Sequence, residues 1–98
     1  MPTTPPAINQ GIPGPDKLTL DGDPATNFKR FKRGWSVYET GSRIDAQQDN
    51  IRAAILQSYL SADVLELLET LPFDSNDDRK DAQKILTVLE NHFYWENE

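Results

Sequence analysis

With 98 residues the chain has room for one small hydrophobic core, because a fold of this size buries little more than about 60% of the surface its unfolded chain exposes. Its 16 Asp and Glu against 10 Lys and Arg leave a net charge of -6, so the molecule as a whole repels nucleic acid and anionic lipid, and binding of either needs a local cationic patch. The lack of cysteine excludes disulfides, zinc knuckles and thiol nucleophiles and leaves the redox compartment unread, so an intracellular, cytoplasmic location is the default expectation; no apolar run is long enough for a membrane span or a signal-peptide core, and a soluble chain is expected.

Residues 1–16, MPTTPPAINQGIPGPD, hold five of the seven prolines and two of the five glycines, with two Ile as the only large aliphatic residues. Such a segment buries too little apolar surface to offset its ordering entropy, and it reads as a disordered Pro-rich arm. It is either a plain linker or an arm that docks after assembly. The folded domain is expected over 17–98. It begins with KLTL (17–20), which alternates like one short extended strand and places Leu18 and Leu20 as interface candidates.

Four helices are predicted next, at about 24–41, 49–60, 62–71 and 78–94. In the first, Asp23 caps, Pro24 takes the first helical position, and Phe28, Phe31, Trp35 and Tyr38 recur at spacings of three and four, within an arc of about 80° at 100° per residue. Lys29, Arg30, Lys32 and Arg33 fall on the far side. The string FKRFKRGW therefore separates, once wound, into an aromatic stripe for the core and a basic face.

The second helix, NIRAAILQSYL, carries Ile51, Ile55 and Tyr59 on one face and Ala53, Leu56 and Leu60 on another, which predicts a central position. Ser61 caps the third, with Val64, Leu67, Leu68 and Leu71 as its stripe and Pro72 as its stop. DSNDD (74–78) is a polar turn with acidic residues suited to a helix start. Ala82, Ile85, Leu86, Leu89 and Phe93 form the stripe of the last helix. Tyr94 and Trp95 fall off that stripe, so they either meet another domain or chain or fold back on their own core. The expected fold class is all-α, a small bundle of four to five helices.

Catalytic and cofactor chemistry finds no footing. His92 is the only histidine, without a second soft ligand for a metal. The acidic stretches DGDPATNFKRFK and DSNDDRKDAQKI lack the glycine and the terminal Glu of a calcium loop, and no phosphate-binding glycine loop or nucleophile elbow occurs. No enzyme activity, cofactor or metal is expected.

Read together, LTLDGDPATNFKRFKRGWSVYE, IRAAILQSYL and LPFDSNDDRKDAQKILTVLENHF resemble the amino-terminal capsid domain of Gag from gypsy-type LTR retrotransposons and their domesticated relatives such as Arc. The similarity rests on Leu18, Leu20 and Gly22 in an extended lead-in, Asn27 and Phe28 opening the first helix, then Phe31, Trp35, Tyr38 and Glu39. Arg52 and Leu56 follow in the second helix, and Leu89 and Phe93 close the last. It covers about residues 17–95. Phe28 stands where the family often has Trp, and Ser61-Ala62-Asp63 stands where it often has Gly. The zinc knuckle, the protease motif and the second capsid half are missing, so a fragment cut at a domain boundary is expected.

The resemblance implies a retroviral capsid N-terminal-like fold and a subunit that self-associates into a shell around RNA, partnered by itself and by a second capsid domain. In such a ring the basic face of Lys29, Arg30, Lys32 and Arg33 would become a cationic annulus; in a lone subunit it is a solvated face. The alternative implied by Arc-like relatives is a monomeric module that binds short peptides. Sequence-specific DNA binding through the first helix is disfavoured by the acidic composition.

Overall fold

A computed structural model describes residues 12–94. Residues 1–11 and 95–98 lie outside it, and with them most of the expected arm and Trp95. Four α-helices are present: α1, Pro24–Gly41; α2, Asp49–Ser58; α3, Ala62–Thr70; and α4, Ala82–Tyr94. Short 3-10 turns, Ile44–Ala46 and Asn76–Lys80, follow α1 and precede α4. The described residues form an all-α bundle with no strand.

Local chemistry accounts for each helix. Asp23 is extended and accepts a hydrogen bond from Ala25 N at 3.2 Å, and Pro24 fixes the first turn. At the other end the Ser42 amide and hydroxyl both donate to Tyr38 O, and Arg43 adopts a left-handed conformation (φ 68°) that turns the chain back. That reversal delivers Ile44, fully buried, to the core beside α1. Ile44 was not among the expected core residues, because a single Ile between polar neighbours carries no periodicity.

α2 ends at Ser58, two residues before its expected end. Tyr59 O accepts from Leu18 N and Ser61 N donates to Leu18 O, both at 2.9 Å, so the backbone after Ser58 is used by an isolated parallel bridge between Leu18 and Leu60. The extended character expected of KLTL is therefore present at one residue. Its consequence differs from expectation: Leu18 is a core side chain at 1% exposure, not an interface residue.

The expectation that one helix covers 78–94 is also corrected. Asn76–Lys80 winds as a separate 3-10 turn, after which Asp81 is extended. The Asp81 carboxylate accepts from Gln83 N at 2.9 Å and Lys84 N at 3.2 Å, so α4 nucleates afresh from its own cap.

The core is mostly aromatic and aliphatic. α4 lies against both α1 and α2. Phe31 stacks on Trp35 with ring centroids 6.5 Å apart, and Phe28 meets Phe93 at 5.5 Å. Leu56, Val64, Leu68, Ile85 and Leu89 fill the space between the helices. Tyr38, Ile55 and Leu67, also expected in the core, are partly buried against it.

Ile51 is a correction. α2 buries Ala53 and Leu56, with Leu60 just past its end, while on its other face Ile55 is partly buried and Ile51 is exposed. A helix with two apolar faces has both buried only when elements cover both sides, and among the described residues no element covers α2 at Ile51.

Candidate functional site

The outward side of α1 is bounded by two grooves. The first, of about 650 Å³, runs between α1 and α4 and is lined by Lys29, Lys32, Arg33, Ser36, Val37, Glu90 and Tyr94. Positions 29, 32, 33 and 36 share one side of α1 through helical spacing, and Glu90 and Tyr94 come from one face of α4 by the same rule. Val37 at its edge is 66% exposed. Tyr94 is half-buried and sets its ring edge-on to Phe28 at 5.9 Å, so this off-stripe aromatic folds back on its own core while still walling the groove.

Within this groove Lys32 Nζ pairs with Glu90 Oε1 at 2.6 Å. Both side chains remain well solvated, so the pair contributes at most about 1 kcal/mol to stability. Among the described residues, Lys29, Arg30 and Arg33 have no ion-pair partner. The floor is therefore cationic with an apolar edge.

The second groove, of about 340 Å³, lies between the lead-in segment and α1, lined by Pro15, Asp16, Lys17, Thr19, Asn27, Arg30, Phe31 and Gly34. Asn27 holds the two walls together: its side-chain amide donates to Thr19 O at 3.1 Å and Asp21 O at 2.6 Å. The four cations expected on one face are thus divided, three lining the α1–α4 groove and Arg30 the other.

Residues 12–16 have no regular secondary structure, yet they lie against the domain. Ile12 rests 3.5 Å from where a side chain on Gly41 would begin, and Pro15 is 3.1 Å from the corresponding point at Gly34. Gly14 passes so close to Tyr59 that a Cβ would sit 2.2 Å from the hydroxyl oxygen. Gly34, in the middle of a helix, was the available sequence signal for this close approach. Leu20, expected at an interface, is half-buried and packs on the core beside this strip.

Beneath it, Trp35, Tyr38 and Tyr59 form a ring cluster, with Tyr38 and Tyr59 at 5.5 Å. Hydrogen bonding to the Tyr59 side chain, with burial second, raises the Tyr38 phenol above its ordinary pKa of 10.0. Among the described residues, Trp35 Nε1 is buried without a hydrogen-bond partner.

Among the described residues no three His, Cys, Asp or Glu side chains converge as a metal site, and no helix is long and apolar enough to cross a membrane. Glu66 and Glu69 are exposed on α3. What the two grooves offer chemically is anion contact and apolar contact along α1. Comparison with known protein families, with characterised proteins and with solved structures finds no match.

Proposed function

We propose that the chain is a structural subunit of the Gag capsid type, which self-associates into a shell around RNA and works together with a second capsid domain. The observation that carries this reading is the two-sidedness of α1. Its aromatic stripe is spent on the core, and Lys29, Lys32 and Arg33 remain outside, around an apolar Val37. A cationic, partly apolar groove on a small acidic domain favours contacts that are weak singly and become strong when repeated by symmetry. The subunit acts without catalysis, cofactor or metal, inside the cell and in the cytoplasm, where RNA is at hand.

The test is negative-stain microscopy of the full polypeptide that carries this chain, taken through rising salt and added RNA. Closed, uniform particles support the reading, and persistent monomers overturn it. Under the same reading, neutralising Lys29, Arg30, Lys32 and Arg33 together abolishes polyanion-stimulated assembly.

A second reading, a monomeric module for short peptides, is favoured by the groove between residues 15–19 and α1. An extended partner could run beside the lead-in there, with Phe31 as apolar floor and Arg30 and Lys17 at the rim. It predicts a chain that stays monomeric at high concentration and peptide-induced NMR shifts confined to residues 17–35.

A further inference from the structure

The subunit's two most sharply charged helix faces are complementary in sign. On α1, Lys29 and Arg33 are exposed, carry no ion pair among the described residues, and flank the exposed Val37 in the α1–α4 groove. α3 contains no basic residue at all, and its Asp63, Glu66 and Glu69 are exposed and likewise without an ion pair. Helical spacing puts these three carboxylates within an arc of about 120°, opposite the buried Val64 and Leu68. Leu65 and Leu67, half-buried, border that acidic stripe as Val37 borders the cationic one.

We infer that the α1–α4 groove of one copy receives the acidic face of α3 from a second copy. The contact is head-to-tail, because the two surfaces are different parts of one subunit. Repetition of such a heterologous contact closes a ring or extends a filament, whereas a two-fold dimer would need one self-complementary patch. Charges set approach and register, and the apolar borders exclude water from the pairs. The inference rests on the self-associating reading above and names the surfaces that reading leaves open.

Sedimentation velocity of the full 98-residue chain tests it, with concentration raised at low and at high salt. The wild type is expected to associate at low salt and to dissociate as salt screens the contact. K29E/R33E alone and E66K/E69K alone should each weaken association roughly tenfold or more, because each places like charges across the contact. An equimolar mixture of the two variants should recover it, since every groove then meets an oppositely charged α3. All four positions are exposed, and circular dichroism checks that both variants keep the wild-type helix content.

Recovery in the mixture supports the contact. Association that ignores both reversals overturns it, as does a wild type that stays monomeric at low salt. A wild type whose Lys29 and Arg33 signals move only when an RNA oligonucleotide is added also overturns it, with nucleic acid then the occupant. If the longer polypeptide still forms closed particles while carrying either reversal, this contact fails and the shell reading stands.

Discussion

Asn27 shows how one side chain can organise a boundary. Its amide donates to two backbone carbonyls of the lead-in, Thr19 O and Asp21 O, and so fastens the residues that follow the Leu18 bridge to the first turn of α1. Asn27→Ala is expected to cost about 1–2 kcal/mol, as two hydrogen bonds are lost and one carbonyl is only partly rehydrated. Urea unfolding would read that cost, and the Leu18 amide should exchange faster than in the wild type.

Asp23 makes a prediction in pH instead. The hydrogen bond from the Thr26 hydroxyl, at 2.6 Å, is the main cause that holds its carboxyl below the ordinary value of 3.8. A lowered folded-state pKa means a contribution that is present above 3.8 and is lost as pH falls through the lower folded value. The stability difference between wild type and Asp23→Asn should therefore stay level near neutrality and close on acidification, which thermal unfolding followed down to about pH 2 would reveal.

At the scale of elements, Arg79 terminates α3. Its guanidinium donates to Leu68 O and Leu71 O, each at 3.1 Å, and lies 4.4 Å over the Phe73 ring. Leu68 O, which also accepts the Leu71 amide at 3.3 Å, and Leu71 O beyond the helix end thereby gain a charged donor from a side chain eleven residues past Leu68. Arg79→Met should destabilise by about 1.5–3 kcal/mol, and Arg79→Lys should restore little, since a point charge cannot span both carbonyls and stack as well. Chemical denaturation of the pair of variants distinguishes the fork from simple charge.

Gly34 sets helix propensity against packing. In an exposed helix interior, alanine is favoured over glycine by about 1 kcal/mol. Here an added Cβ would meet the Pro15 Cβ at 3.1 Å, so that gain comes at the expense of the strip that crosses α1. Gly34→Ala is expected to leave global stability unchanged or raised by up to about 1 kcal/mol while displacing residues 12–16. Altered NMR shifts at Tyr59, which Gly14 touches, would report the displacement; unchanged shifts would show that the strip yields without leaving.

For the whole molecule, the contrast between Leu18 and Ile51 measures where the core lies. Leu18 precedes all the helices and is 1% exposed, while Ile51 sits within a helix on an apolar stripe and is 36% exposed. Leu18→Ala should cost about 2–5 kcal/mol, and Ile51→Ala no more than about 0.5 kcal/mol beyond its helix-propensity change. Equal costs in urea unfolding would show that the expected stripe, and not the observed packing, describes the core. Long-range pairing has the same whole-molecule character: Lys32 and Glu90 meet although they are 58 positions apart.

The sequence by itself determined the four helices and most of their inward stripes, because capping chemistry and a 3.6-residue period are properties of neighbours along the chain. Phe28, Phe31, Trp35, Leu56, Leu68, Ile85, Leu89 and Phe93 were legible for that reason, as was the separation of rings from cations on α1. Tertiary structure alone decided which apolar face of α2 is covered, that Leu18 pairs with Leu60 instead of waiting for a partner, and that three cations share a groove with Glu90 while Arg30 lines another. Burial and grooves depend on which distant element arrives on each side, and local periodicity records the faces that can be covered without recording the one that is.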